Sequence, residues 1–344
     1  MTLRVATVLS AREWESRLVA AARSSATVRL VLRAFLPTEV SEQADGLDVV
    51  VVGSETPWAT TARLNAWRRG GLRVVGVHPA GDRPAADRLR AAEADLVLAD
   101  DLGAEAMLRE IRLIEPAAER VEGTASLVVV TGARGAPGRT EVALALAWNS
   151  SGRQPTTLID ADLDAPGIAI RLGIPPRPDL ADAVDAVHGA GVLTNELLHR
   201  IGRLAVLPGS HRPGEPPLRA EPVFDVVDAA RTLGPVVVDA GPWPANQEII
   251  KSATDALIVA DGSPMGIVRA AGVTAEWTGP PPRLVVNRVR PIHRTDVENA
   301  IRRWTGLAPE ACIPPLPGVA SAARSAAEPT RRLRGLMAAL AASE

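Results

Sequence analysis

The sequence predicts an α/β protein with two parallel sheets, each flanked by helices. Short runs rich in valine and other β-branched residues recur along all 344 residues, and segments with the helical spacing of apolar residues separate them. Strands joined by helix-length segments pair in parallel through right-handed crossovers. The chain is also long enough for two domains, each with its own core.

The first domain is predicted at residues 1–114. Its five strands are expected at 4–9, 28–32, 47–52, 72–77 and 95–98, and helical segments lie between them, such as 13–23, 60–69 and 85–93. Five successive βα units of this length resemble the receiver domain of response regulators, which has a flavodoxin-like fold. The resemblance is one of architecture only, because the residues that carry phosphorylation differ.

Two positions separate the first domain from a working receiver. A receiver needs an Asp at the end of its third strand, where this chain has Gly53 and Ser54, and an acidic pair after its first strand, where it has Leu9, Ser10 and Ala11. We therefore expect no aspartyl phosphorylation. The resemblance implies a receiver-like domain without the phospho-acceptor Asp, used for docking or dimerisation.

A second α/β series is predicted after a linker. Residues 115–124 are short and polar and contain Pro and Gly, which is typical of a segment between domains. The second domain is expected at 125–344. Its strands are predicted at 126–131, 156–160, 203–207, 235–239, 256–260 and 283–287.

A glycine-rich turn follows the first strand of the second domain. The strand ends near Thr131, the turn carries Gly132, Gly135 and Gly138, and Thr140 opens a helix. Glycines allow successive backbone N–H groups to point inward, and a helix N-terminus adds partial positive charge, so the turn is suited to hold phosphate. The Thr140 hydroxyl would then be placed to ligate Mg²⁺. The alternative is a βα turn without a ligand.

Residues 134–140 resemble the deviant phosphate loop of the ParA/MinD ATPases, K-G-G-x-G-K-[ST]. Arg134 stands at the family's signature lysine, which acts on the phosphates of a dimer partner, and Arg139 stands at the second lysine. The resemblance implies ATP contacts from Arg134, Gly135, Ala136, Pro137, Gly138, Arg139, Thr140 and Glu141. Arginine keeps the charge but presents a planar fork in place of a point charge. We therefore expect ATP binding with slow or absent hydrolysis.

Acidic residues end two further strands, in the order in which that family carries its motifs. Asp160, Asp162 and Asp164 follow the second strand, and Asp239 ends the fourth. By this resemblance, Asp162 orients or deprotonates the attacking water and, with Arg134, forms the catalytic pair. Asp239 would hold Mg²⁺ through water, with Asp160 beside the ion. A solvated acidic loop and a strand-terminal cap are the alternatives.

The sixth strand of the series ends in Asn287, and residues 312–326 follow later as a proline-containing loop. In related proteins, an Asn at this position hydrogen-bonds the adenine edge, for which an amide is suited because it both donates and accepts. The loop resembles the family's IP-x-D-x-x-V-x-x-A segment, which surrounds the base. Leu316 replaces the Asp of that segment.

A receiver-like domain followed by a ParA/MinD-type ATPase is similar in layout to the CpaE/TadZ proteins of Tad/Flp pilus and type II/IV-like secretion loci. The resemblance implies a homodimer that localises or assembles such machinery, with pilus or secretion assembly proteins as partners. Two alternatives stay open. One is a nucleotide-free pseudo-ATPase scaffold, motivated by the Lys-to-Arg exchanges, and the other is a MinD/ParA-like regulator of the division site or of partition.

The composition is typical neither of a nucleic-acid-binding protein nor of a secreted protein. The net charge of −2 predicts no specific nucleic-acid partner, and the single cysteine, Cys312, fits a reducing compartment. No apolar run approaches the roughly 20 residues of a membrane span. We expect a cytoplasmic protein, with a peripheral position at the inner face of the membrane or at a cell pole left open. The amphipathic segment 330–344 is the candidate for membrane contact, although such helices more often pack on their own domain.

Overall fold

The computed structural model describes residues 2–57, 59–114, 125–190, 192–216 and 218–341. The linker predicted at 115–124 lies outside the described residues. The chain divides into two compact units, one of residues 1–124 with 187–192 and the other of residues 125–186 with 193–344.

The first unit holds a five-stranded parallel sheet. Its strands are β1 (Leu3–Val8), β2 (Val28–Ala34), β3 (Val49–Gly53), β4 (Arg73–His78) and β5 (Leu96–Ala99), and its helices are α1 (Glu13–Ala22), α2 (Pro37–Glu42), α3 (Thr61–Arg69), α4 (Arg83–Ala91) and α5 (Ala104–Arg112). The strand order is β2-β1-β3-β4-β5, and all neighbours are parallel. This is one of the common orders of doubly wound sheets.

The central strand β3 explains how this sheet is covered on both faces. Successive side chains of a strand point to opposite faces. Val49 belongs to the apolar cluster that contains Trp14 of α1, whereas Val50 belongs to a second cluster that contains Trp67 of α3. All five residues of β3 are buried. A strand of continuous valines is therefore what a sheet with helices on both faces requires.

The second unit holds an eight-stranded sheet. Its strands are β6 (Leu127–Gly132), β7 (Thr156–Asp160), β8 (His199–Ile201), β9 (Leu204–Leu207), β10 (Val236–Pro242), β11 (Asp255–Asp261), β12 (Arg283–Asn287) and β13 (Ala311–Cys312). Its helices are α6 (Arg139–Arg153), α7 (Ile168–Leu172), α8 (Leu180–Ala190, of which residues 180–186 belong to this unit), α9 (Ala220–Arg231), α10 (Gln247–Lys251), α11 (Pro264–Ala275), α12 (Arg294–Thr305), α13 (Pro317–Arg324) and α14 (Arg331–Ala341). The strand order is β13-β12-β11-β6-β10-β7-β9-β8, and only the β8–β9 pair is antiparallel among these described strands.

This topology brings the residues predicted to bind nucleotide and metal to one edge of the sheet. Strand β6 lies between β10 and β11, and β7 lies on the other side of β10. Because these strands are parallel, the carboxyl ends of β6, β7, β10 and β12 share an edge of the sheet. Ligands of open α/β sheets bind outside that edge, where the strand order reverses.

The predicted α/β class with parallel sheets is confirmed, and each predicted strand begins within two residues of its expected start. Two strands were not predicted. β8 has three residues and pairs antiparallel with β9, and β13 has two residues. Neither is long enough to display the alternation of apolar and polar residues that identifies a strand.

The last helix, α14, packs on its own unit. Leu333, Met337 and Leu340 are buried in the same apolar cluster as the core face of α6. Asn149 of α6 also donates from Nδ2 to the Arg334 carbonyl at 2.8 Å. The apolar face that the sequence offered as a membrane contact is therefore used for internal packing. In the described parts of the chain, no helix combines the length and apolarity that crossing a membrane requires.

Candidate functional site

The loop between β6 and α6, residues 132–140, turns sharply at two glycines. Gly135 and Gly138 adopt positive φ angles of +80° and +91°, which L side chains rarely tolerate. The Ala136 N–H donates to the Ala133 carbonyl at 2.9 Å and tightens the turn. At Gly138, a Cβ would lie 2.3 Å from Nδ2 of Asn287. The sequence therefore needs glycine at this position for both conformation and space. We call residues 132–140 the phosphate loop.

Asn287, at the end of β12, fastens the phosphate loop to the sheet. Its Nδ2 donates to the Pro137 carbonyl at 3.0 Å, and its Oδ1 accepts from the Arg288 N–H at 2.8 Å. The sequence assigned this amide to the adenine edge. In the structure, the amide also positions the loop, so contact with a base stays a prediction.

Arg139 lies folded against the phosphate loop. Its Nη1 donates to the Ala133 carbonyl at 3.1 Å, and its Nη2 pairs with Oδ2 of Asp162 at 3.3 Å. The side chains of Arg139 and Asp162 are 15% and 8% exposed. Nε of Arg139 is buried and has no hydrogen-bond partner. The residue at the predicted phosphate-binding position therefore contacts the residue predicted to orient water.

Arg134, the other arginine of the phosphate loop, lies in solvent. Its side chain is 81% exposed and pairs with Asp164 at 2.8 Å. Its carbonyl accepts a long hydrogen bond from Arg269 of α11 at 3.5 Å. The sequence placed Arg134 at the nucleotide, both as a contact and as a catalytic residue acting across a dimer. Within the single chain, its guanidinium contacts the acidic segment instead.

Thr140, which is half-buried, forms a hydrogen-bonded pair with the buried Asp239. The Thr140 hydroxyl donates to Oδ2 of Asp239 at 2.6 Å. Burial raises the pKa of Asp239, while the Thr140 hydrogen bond and the positive charge of Arg139 act in the opposite direction. A hydroxyl beside a carboxylate at a helix N-terminus is the donor set that Mg²⁺ shares with phosphate oxygens and water.

Asp160, the last residue of β7, begins the acidic segment, residues 160–164. Its Oδ2 accepts from the N–H groups of Gly167 and Ile168 at 2.8 and 2.9 Å. Burial, together with the neighbouring charge of Asp239, raises the pKa of Asp160 to about 7. The sequence placed Asp160 beside Mg²⁺. The structure gives it backbone partners, and metal contact stays a prediction. Among the residues described, no three His, Cys, Asp or Glu side chains converge to form a metal-binding cluster.

A cavity of about 620 Å³ begins at the phosphate loop. Gly138, Glu141 and Asn287 border it on one side, and Ile313 and Leu316 border it on the other. Its volume lies within the range of about 300–1,000 Å³ typical of small-molecule sites. Leu316, which departs from the family pattern, gives this wall of the cavity an apolar side chain. The lining of the cavity thus combines apolar side chains with the charged residues Glu141, Arg288 and Arg290.

Glu141 is held by a buried arginine that the sequence did not single out. Nη2 of Arg171 donates to Oε2 of Glu141 at 3.1 Å, and its Nε contacts the other carboxylate oxygen. Nη1 donates to the Ala327 carbonyl at 2.7 Å. The side chain of Arg171 is 6% exposed. The signal available in the sequence was one arginine within the otherwise apolar run Ile168–Leu172 of α7.

The segment after Asp239 is joined to the acidic segment by a second residue that sequence reasoning missed. Nδ2 of Asn246 donates to the carbonyls of Ala161 and Ala240 at 2.7 and 3.0 Å. Gly241 has a φ of +68°, and a Cβ there would lie 2.9 Å from Cγ of Asp162. Asp162 therefore lies directly against Gly241, near the end of β10.

The solved structures that resemble this chain include a ParA family ATPase and MinD cell division proteins. A ParA family ATPase from Chlorobium tepidum TLS superposes with a TM-score of 0.56 at 17% identity, covering 64% of this chain and 99% of that chain. A chain of the MinC:MinD cell division protein complex from Aquifex aeolicus gives 0.53 at 18% identity, covering 64% and 96%. The MinD cell division protein from Aquifex aeolicus gives 0.52 at 18% identity, covering 64% and 98%.

Comparison of the sequence gives no such link. No protein-family model matches the chain, and no curated protein matches it. At 17–18% identity, the structural likeness concerns architecture. About two thirds of this chain therefore has the fold of the ParA and MinD ATPases.

Proposed function

We propose that this chain binds Mg–ATP at the phosphate loop and acts as a nucleotide-controlled positioning factor of the ParA/MinD type. One observation carries the proposal: the cavity of about 620 Å³ starts at Gly138, in a glycine turn with positive φ angles that leads directly to the Thr140–Asp239 pair. The base would thus bind in the cavity, the phosphates at the glycine turn and the metal ion at the Thr140–Asp239 pair, all along one edge of the sheet.

The residues fit a metal held mainly by phosphate and water. Mg²⁺ usually keeps several waters and takes one or two protein ligands beside substrate phosphates. Thr140 would ligate the ion directly, and Asp239 would hold its water shell. The N–H groups of Gly138, Arg139 and Thr140 would bind the phosphates, since they lie at the N-terminus of a helix of 15 residues, α6. The base would enter the cavity beside Asn287 and residues 313–317.

Slow or absent hydrolysis follows from the position of Arg139. In the free protein its guanidinium pairs with the Asp162 carboxylate, so Arg139 is not preset at a phosphate-binding position. A guanidinium also presents a planar fork where lysine would place a compact charge. We therefore propose that nucleotide binding, rather than turnover, sets the state of the protein.

The face around the phosphate loop is suited to a second copy of the chain. Arg134 is exposed there, and Arg269 connects it to α11. Met265 and Val268 of α11 are 59% and 49% exposed. Exposed apolar side chains next to an unburied arginine are typical of an interface. Arg134 would then reach the phosphates of the partner copy.

The finer proposal is a CpaE/TadZ-like role in a pilus or secretion assembly. The five-stranded order of the first unit supports a receiver-like docking domain. At the end of β3, a Cβ on Gly53 would lie 2.3 Å from the carboxylate of Glu55, so an acceptor Asp has no room unless Glu55 moves. A position at the membrane face or a cell pole would come through assembly partners, because the apolar face of α14 is buried. The alternatives are a partition or division-site regulator and a nucleotide-free scaffold.

Light scattering after size exclusion tests the proposal on the full chain. With Mg²⁺ and the non-hydrolysable analogue AMPPNP, the mass of the wild type should double, Thr140→Val should stay monomeric, and Arg134→Ala should bind nucleotide without doubling. Arg177→Ala, which removes another ion-paired and mostly exposed arginine of the second unit, is the control. A mass that is unaffected by nucleotide in the wild type would favour the scaffold.

A further inference from the structure

From the pairing of the two loops, we infer that the Asp162 carboxylate is an internal competitor of the nucleotide phosphates for Arg139. The inference rests on the proposed function and adds a regulatory step to it. In the free protein, Asp162 provides the negative charge that the Arg139 guanidinium contacts. A nucleotide gains Arg139 only by displacing Asp162. The Arg139–Asp162 pair is thus an autoinhibitory contact.

Burial makes the attraction between Arg139 and Asp162 stronger than that of an exposed ion pair. The Arg139 and Asp162 side chains are 15% and 8% exposed, so solvent screens their attraction only in part. The phosphate loop carries a second pair with the same chemistry, Arg134 with Asp164, whose side chains are 81% and 62% exposed. Exposed pairs contribute little to a conformational equilibrium. The inner pair therefore controls access, and the outer pair is its natural control.

The geometry also allows Asp162 to release Arg139 without loss of the loop. Its other oxygen, Oδ1, accepts from the N–H groups of Asp164 and Ala165 at 3.2 and 3.0 Å. Only Oδ2 contacts Arg139. Nε of Arg139 is a buried donor without a partner, which a phosphate oxygen would satisfy. Exchange of one anion for another thus removes an unsatisfied donor and keeps the backbone caps of Asp162.

Release of Asp162 from Arg139 would also affect the residues around Gly241 and Asn246. A Cβ on Gly241 would lie 2.9 Å from Cγ of Asp162, which shows how closely the last residues of β10 approach this carboxylate. Asn246 joins that segment to Ala161. A nucleotide that captures Arg139 would therefore free Asp162 and change the packing of the segment that follows Asp239. Nucleotide binding would then change the conformation of the residues after Asp239 as well as that of the phosphate loop.

The first test needs no nucleotide. Thermal unfolding of the full chain is measured for wild type, Asp162→Asn, Arg139→Met and the double variant. Asn keeps the Oδ1 contacts and removes the charge. We expect Asp162→Asn to lower the melting temperature by about 2–4 °C, and the effect to fall below about 1 °C when Arg139 is already Met, because neighbours in one pair are non-additive. Strictly additive effects would overturn the autoinhibitory contact while leaving nucleotide binding untouched.

The second test measures affinity for Mg–AMPPNP by titration calorimetry. An analogue that is not hydrolysed is used because loss of turnover can imitate tighter binding. Asp162→Asn should bind about tenfold more tightly than the wild type, which corresponds to one moderately buried ion pair, and Asp164→Asn should stay within about threefold. In the Arg139→Met background, the gain from Asp162→Asn should disappear. A gain that persists there would mean general charge repulsion and would overturn the inference.

The outcomes separate this inference from the proposed function. Equal binding by wild type, Asp162→Asn and Asp164→Asn would overturn the autoinhibitory contact and keep the nucleotide site. Binding by Asp162→Asn alone would support both. If no variant binds, the proposed function fails, and the inference fails with it, even if the unfolding experiment detects coupling. Should Arg139→Met fail to fold, the comparison of Asp162→Asn with Asp164→Asn decides.

Discussion

Gly138→Ala should destabilise the second unit and abolish nucleotide binding. The residue has a φ of +91°, and an alanine Cβ would lie 2.3 Å from Nδ2 of Asn287. A left-handed alanine costs about 1–2 kcal/mol. Displacing Asn287 also breaks its hydrogen bond to the Pro137 carbonyl, for about 1 kcal/mol more.

Together these effects amount to roughly 2–3 kcal/mol, or a fall in melting temperature of about 4–12 °C for a unit of this size. Gly152→Ala, within the helix α6 that Gly138 precedes, is the control, because a Cβ there meets nothing within 4 Å. It should raise stability by about 0.5–1 kcal/mol, since glycine within a helix costs entropy. Circular dichroism during heating measures both. If Gly138→Ala and Gly152→Ala shift the melting temperature in the same direction, the described geometry of the phosphate loop is wrong.

Two further substitutions test the buried charges of the site. Arg171→Met should lower the free energy of unfolding by about 2–4 kcal/mol, because it leaves the Glu141 carboxylate and a carbonyl without their partner; Arg17→Met, which breaks an exposed pair, should change it by less than about 0.5 kcal/mol. Asp160→Asn should reduce the pH dependence of stability. Because the pKa of Asp160 is raised to about 7, the folded state keeps a proton that the unfolded state loses, so wild-type stability should fall between about pH 4 and pH 7 relative to the variant.

Denaturant titrations of each variant beside the wild type supply these values. The upper limit for the Asp160 effect is about 4 kcal/mol over three pH units. Equal effects of Arg171→Met and Arg17→Met would contradict the buried Glu141 contact. A difference between Asp160→Asn and wild type that is constant from pH 4 to pH 8 would mean that Asp160 is ionised throughout.

The sequence was sufficient for the architecture because periodicity is a local property. Valine-rich runs such as β3 and β6 can belong only to buried strands once helix-length segments separate them. The topology then gathered Thr140, Asp239 and Asn287 at one edge, as their positions at the ends of strands and loops predicted. The short strands β8 and β13 were missed since their pairing depends on neighbours rather than on their own pattern.

The partners of each side chain could not be predicted in this way. Nothing in the spacing of Arg139 and Asp162 indicates that they pair, and nothing marks Asn246 as the residue that joins two strand ends. Arg171 is buried because Glu141 and a distant carbonyl satisfy it. Such contacts depend on side-chain positions that only the assembled sheet defines. The departures from the family pattern, above all the arginines, are where the site differs most from expectation.

Calorimetric titration of the full chain with ATP in the presence of Mg²⁺ tests the central claim most directly. We predict saturable binding of one nucleotide per chain, weakened by about tenfold or more when Mg²⁺ is removed or when Thr140 is replaced by Val, since each change removes a charge-assisted contact. Absence of any binding heat in the wild type and in Asp162→Asn alike, at millimolar ATP, would contradict the account.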